Sequence, residues 1–230
     1  SRRELSTVNN IRITLDRHGR LSSSSGENSV VAGMYTGEID SIQNIPHGQG
    51  TMQYDNGCQY VGYWYDGNWS GLGSMYDSQI QATYEGPFLD NQMHGVFLVR
   101  YEDGRSYDGC FDLNRMQRGH MDLPNIGRYF GDFDSNEQPH GRGKLSFNDG
   151  REYDGEFYHG QISGHGRMIY GNLTNSISNE SGNGSVSSIR STSSDYSFYL
   201  GSFTNGKRAG EGVLMIEEEI IHEGQWDNDK

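Results

Sequence analysis

Apolar and polar positions alternate with a period of two in short runs along the chain, and the runs themselves recur. Tyr is followed two residues later by Gly and four residues later by a large apolar side chain: Tyr35, Gly37, Ile39; Tyr60, Gly62, Trp64; Tyr84, Gly86, Phe88; Tyr107, Gly109, Phe111; Tyr129, Gly131, Phe133; Tyr153, Gly155, Phe157; Tyr199, Gly201, Phe203. A weaker eighth copy reads His222, Gly224, Trp226. The first positions stand 25, 24, 23, 22, 24, 46 and 23 residues apart, so one insertion in the sixth interval accounts for the outlier. A fixed period of this length is the mark of a repeat architecture.

In a strand, residues two apart share a face, so Tyr, Gly and the following ring all point to one side. Gly-x-Gly steps then begin at Gly48, Gly71, Gly141, Gly164 and Gly210, while the third and fourth copies read Gly95-Val96-Phe97 and Gly119-His120-Met121. Two residues past the end of each step stands Met52, Met75, Val99, Leu123, Leu145, Met168 or Leu214, followed at the same spacing by Tyr54, Tyr101, Phe147, Tyr170 and Ile216. Turn residues Asp55-Asn56-Gly57, Glu102-Asp103-Gly104 and Asn148-Asp149-Gly150 lead into the next Tyr. Each unit therefore predicts a β-hairpin with one ring-rich face. No Gly-rich step opens a helical pattern, so these glycines are structural and cradle no phosphate.

The Tyr-x-Gly-x-aromatic and Gly-x-Gly pattern resembles the MORN (membrane occupation and recognition nexus) repeat family over roughly residues 34 to 229. The resemblance implies an all-β fold: an elongated single-layer antiparallel sheet, solenoid-like, of seven to eight hairpins. Residues 34–170 hold repeats 1–6, 171–195 form a flexible Ser/Asn/Gly-rich insertion, and 196–230 hold repeat 7 and an incomplete repeat 8. Residues 1–33, where Ile11, Ile13 and Leu15 alternate before a turn at Asp16 to Gly19, read as a strand or divergent half-repeat plus a Ser-rich linker. The chain starts at Ser1 and stops within repeat 8, which suggests a longer parent protein or a strand edge that pairs with another copy.

Composition sharpens this picture. Leu, Ile, Val and Phe make about 19% of 230 residues, and with a net charge of −13 that borders on disordered chains. Thirty-three Gly and 12% aromatic residues say otherwise: rings replace the missing aliphatic core. The acidic balance opposes nucleic acid and disfavours phospholipid, both of which need clustered Lys and Arg. No run approaches 18 apolar residues. Cys58 and Cys110, two repeats or about 20 Å apart, cannot form a disulfide, and free thiols point to the cytoplasm.

The leading expectation is a non-enzymatic scaffold that binds a protein partner, a peptide or helix, through its aromatic face. Its candidate contacts are Tyr60, Trp64, Tyr84, Phe88, Tyr107, Phe111, Tyr129, Phe133, Tyr153 and Phe157. The resemblance also allows a link between membrane and cytoskeleton, or the regulatory region of a larger enzyme such as a phosphatidylinositol-phosphate kinase or SET-type lysine methyltransferase. On the opposite face, Glu38, Glu85, Asp108, Asp132, Asp154, Glu156 and Glu223 predict strong negative charge. His47, His94 and His140 occupy one repeat position; since equivalent positions of successive hairpins lie about 10 Å apart, they read as turn residues, and no metal site, cofactor or catalytic constellation is expected.

Overall fold

The computed structural model describes residues 3–15, 21–22, 30–172 and 196–230. The expected turn at Asp16 to Gly19, the Ser-rich linker and residues 173–195 of the insertion lie outside them. Every described element is a β-strand, and none of the described residues is helical. The chain divides into two compact units, residues 1–124 and 125–230.

In the first unit, β1 (Leu5–Leu15) pairs with β3 (Val30–Asp40). Then follow β4 (Ile45–Tyr54), β5 (Gln59–Tyr65), β6 (Asn68–Asp77), β7 (Ala82–Leu89), β9 (Gly95–Tyr101), β10 (Ser106–Asp112) and β11 (Arg115–Leu123), each antiparallel to its predecessor. The two-residue strands β2 (Leu21–Ser22) and β8 (Gln92–Met93) add to β1 and β7. The second unit runs the same way through β12 (Gly127–Phe133), β13 (Pro139–Phe147), β14 (Glu152–Tyr158), β15 (Gln161–Asn172), β16 (Tyr196–Thr204), β17 (Lys207–Ile216) and β18 (Glu219–Trp226).

Local chemistry explains the hairpins. Asp66-Gly67, Asp90-Asn91, Leu113-Asn114, His159-Gly160, Asn205-Gly206 and Glu217-Glu218 have positive φ at both positions, the turn geometry whose twist matches that of paired strands. One or two residues after the Tyr-x-Gly step the register slips, at Gly37/Ile39, Gly62/Trp64, Gly109/Phe111, Gly131/Asp132, Gly155/Phe157 and Gly201/Phe203. At each slip the Tyr hydroxyl donates to the carbonyl three residues on: Tyr35 to Glu38 at 2.7 Å, Tyr60 to Tyr63 at 3.0 Å, Tyr107 to Cys110 at 3.0 Å, Tyr129 to Asp132 at 2.8 Å, Tyr153 to Glu156 at 3.0 Å and Tyr199 to Ser202 at 3.1 Å. The bulge frees an acceptor and the ring satisfies it.

To reach that carbonyl the ring lies flat over two cross-strand glycines. A Cβ on Gly131 would stand 2.2 Å from the Tyr129 hydroxyl, and one on Gly143 would stand 2.3 Å from its Cε2, so only Gly fits beneath. The following ring meets its own Tyr edge to face, as in Tyr153–Phe157 at 5.2 Å, and the Tyr of the preceding repeat as well, as in Tyr129–Phe157 at 4.9 Å. Burying one such ring contributes about 4–6 kcal/mol as an upper bound.

The third repeat keeps the expected register without its second glycine, and the fourth departs from it. In the third, the Phe97 ring covers Gly86, and the ladder runs Phe88–Phe97–Phe111 with both centroid separations at 5.2 Å. In the fourth, Gly109 pairs with Gly119, so Gly119 is the second glycine of its step and Gln117 replaces the first. The apolar residue on the ring face is consequently Met121, paired with Tyr107 and buried, in place of Leu123.

Candidate functional site

The ten candidate rings all fall on the predicted face, but nine of them are buried by the chain itself: Tyr60, Trp64, Tyr84, Phe88, Tyr107, Phe111, Tyr129, Tyr153 and Phe157. Phe133 is half-buried. Desolvation pushes the Tyr60 and Tyr153 phenols above their ordinary range, which keeps them protonated as donors to the bulge carbonyls. These side chains hold neighbouring hairpins together, and the surface they leave open is provided by other residues.

That surface is clearest in the second unit. Met168, Tyr170, Phe203, Leu214 and Ile216 floor a groove of about 490 Å³, with Arg151, Arg208 and Asp229 on its walls. Arg208 lies 4.1 Å over the Trp226 ring, and its Nε donates to Asp229 at 3.2 Å. Arg151 stacks on Phe147 at 4.6 Å while its Nε donates to Asp149 at 2.8 Å. Stacking and ion pairing fix both guanidinium groups beside an apolar floor. Tyr170, Leu214 and Ile216 lie on the face that alternation assigns to the apolar side; the arginines carried no periodic signal, because each follows a turn and folds back onto a ring.

On the opposite face, basic residues from partner strands stand among the expected acids. Arg100 donates to Glu85 at 2.6 Å; across β13, β14 and β15, Lys144, Asp154 and Arg167 face one another in register, as do Arg142 and Glu156. Offsets counted along the Tyr-bearing strand alone omit the basic residues that the partner strand brings opposite. In the first unit the same face carries an apolar row: Leu72 is paired with Pro87 and Val96 with Cys110, Leu72 being 70% and Val96 62% exposed.

His47, His94 and His140 each stand beside a group from a neighbouring turn, and not beside one another. His47 lies 3.4 Å from Asp66, His94 3.2 Å from Asp112, and the His140 ring 5.1 Å from that of His159. His159 Nδ1 in turn lies 2.6 Å from Asp134 Oδ2, and Asp134, His140 and His159 bring three ligand atoms within 4.8 Å of one another. Spacing along the chain relates only equivalent positions of successive hairpins, and this convergence joins different positions. Cys58 and Cys110 are free. No helix among the described residues is long and apolar enough to cross a membrane.

The MORN repeat model matches residues 42–59, 60–78, 129–150, 153–174 and 199–215. No curated protein matches the chain. The unmatched residues between 79 and 128 hold the two repeats with an incomplete Gly-x-Gly step, yet β7 and β9 to β11 form hairpins there as elsewhere. Five matches to the repeat, four of them beginning on the Tyr of a hairpin at Tyr60, Tyr129, Tyr153 and Tyr199, place this chain in the MORN repeat family.

Proposed function

We propose that this MORN array is a non-enzymatic scaffold that holds a protein partner, and that the partner docks on the ring-bearing face of the second unit. The observation that carries this reading is the groove floored by Met168, Tyr170, Leu214 and Ile216 and flanked by Arg151 and Arg208. In a chain of net charge −13, two stacked arginines beside an apolar floor select a segment with apolar anchors and acidic neighbours, in helical or extended form. Tyr153 serves this role indirectly, as the cross-strand partner of Met168. The same net charge argues against an anionic membrane as the primary ligand, and two free thiols are in keeping with the cytoplasm.

Selection of a random peptide library on the full chain tests the reading. Enriched sequences are expected to combine two or more large apolar residues with Asp or Glu. Their affinity should fall at least tenfold in the Arg151→Glu variant, with the melting temperature within a few degrees. Enrichment of basic peptides, or binding indifferent to Arg151→Glu and Leu214→Asp, would remove the groove from the account.

A further inference from the structure

We infer that Asp134, His140 and His159 form a binding site for a divalent first-row transition ion of the zinc class. Two places in the chain present the same three backbone positions. In the first repeat, Asp40 directly follows the +4 side chain Ile39, His47 follows Pro46, and Asp66 is the first residue of a two-residue turn. In the fifth repeat the counterparts are Asp134 after Phe133, His140 after Pro139, and His159 at the head of the turn.

The two sites share their scaffold in detail. Asp40 Oδ1 accepts the N–H groups of Ile42 and Gln43, and Asp134 Oδ1 accepts those of Asn136 and Gln138, which leaves Oδ2 of each aimed at the centre. His47 Nδ1 accepts the Asp66 N–H at 3.5 Å, and His140 Nδ1 that of His159 at 3.4 Å. The carbonyls of Pro46 and Pro139 accept the N–H of the turn glycines Gly67 and Gly160. Tyr65 packs against His47 and Tyr158 against His140, with centroids 5.1 Å and 5.4 Å apart.

What occupies the centre of the first site is a cation. Arg3 Nη1 hydrogen-bonds Asp66 and lies 3.1 Å from His47 Nδ1 and 3.9 Å from Asp40 Oδ2. The three positions therefore already converge on positive charge once in this chain. In the fifth repeat the turn aspartate becomes His159, which turns a set of two carboxylates and one imidazole, suited to guanidinium, into one carboxylate and two imidazoles. That N2O set suits zinc, copper or nickel and leaves a position for water.

An ion shared by His159 Nδ1 and Asp134 Oδ2 would open their 2.6 Å contact. Tetrahedral ligands about 2.0–2.2 Å from an ion stand roughly 3.4 Å from one another, against the 4.8 Å limit that encloses the three atoms here. The Asp134 side chain is 9% exposed, and its Oδ2 lies 2.6 Å from His159 Nδ1. A concavity of about 380 Å³ lined by His140, Arg142, Tyr158 and Ser163 opens beside the cluster and gives an entry path.

Titration of the full chain, free of any polyhistidine tag, with Zn²⁺ by calorimetry and with Co²⁺ by visible absorption tests the assignment. One tight equivalent is expected, with Co²⁺ bands of four-coordinate intensity. His159→Asn, which keeps a turn residue that Asn205 already uses at the equivalent place, and His140→Ala should each weaken binding at least tenfold, while His94→Ala should leave it unchanged. Histidine ring resonances of His140 and His159 should shift together with the added metal. Binding that is equally tight in His159→Asn, absence of binding at millimolar Zn²⁺, or a preference for guanidinium over Zn²⁺ would overturn the site.

Discussion

The ring of Tyr129 lies on Gly143 of the neighbouring strand so closely that a Cβ there would stand 2.3 Å from Cε2 and 2.5 Å from the hydroxyl oxygen. Gly143→Ala must therefore lift the ring, break its bond to the Asp132 carbonyl or spread the strands. A loss of about 1–3 kcal/mol is expected from urea unfolding. Gly150→Asn, at a positive-φ turn with nothing within 4 Å of the added Cβ, should stay within about 1 kcal/mol of the parent.

Removing only the hydroxyl isolates the polar half of the same contact. Tyr129→Phe keeps the ring on Gly131 and Gly143 but leaves the Asp132 carbonyl without its 2.8 Å donor. A cost of about 1–3 kcal/mol is expected in the same measurement. Tyr129→Ala, which also removes the ring, should cost about 3–5 kcal/mol.

Phe97 breaks the Gly-x-Gly pattern, and a substitution toward the pattern should be harmful. The Phe97 ring fills the space over Gly86 and joins Phe88 to Phe111, so Phe97→Gly opens a hole that Tyr84 does not fill from its present place. Calorimetric melting should report a loss of about 3–5 kcal/mol or more. An unchanged or raised melting temperature would mean that the repeat pattern outweighs the packing.

Acid should weaken the Arg3 cluster. The backbone N–H groups of Gln43 and Ile42 hold the Asp40 carboxyl below its usual range despite burial, and the Arg3 hydrogen bond does the same for Asp66. Both folded values lie below the unfolded value of about 3.9, so this stabilisation is fully present above it and is lost as pH falls through the folded values. Asp40→Asn/Asp66→Asn should be less stable than the parent at pH 7. The two unfolding curves should converge near pH 2, as followed by Tyr and Trp fluorescence.

Much of the molecule was legible beforehand, and the reasons are physical. Tyr, Gly and the +4 ring share a face because strand side chains alternate, and turn residues mark where strands reverse, so the hairpins and the ring-bearing face follow from spacing. Gly119 reads along the chain as the first glycine of its step, and only its pairing with Gly109 makes it the second, whereas Phe97 stands at the expected register and covers Gly86 with its own ring.

The amino-acid sequence by itself determined which residues face the same way within a strand. Only the tertiary structure decided which residues stand opposite. Exposure of the ten rings depends on the Tyr and ring of adjacent hairpins closing over one another. The outer face balances its acids because Lys144, Arg167 and Arg100 arrive from partner strands. Asp134, His140 and His159 meet because two successive turns of one sheet edge come within a few ångströms, a distance set by strand pairing and bulge geometry that no count along the chain contains.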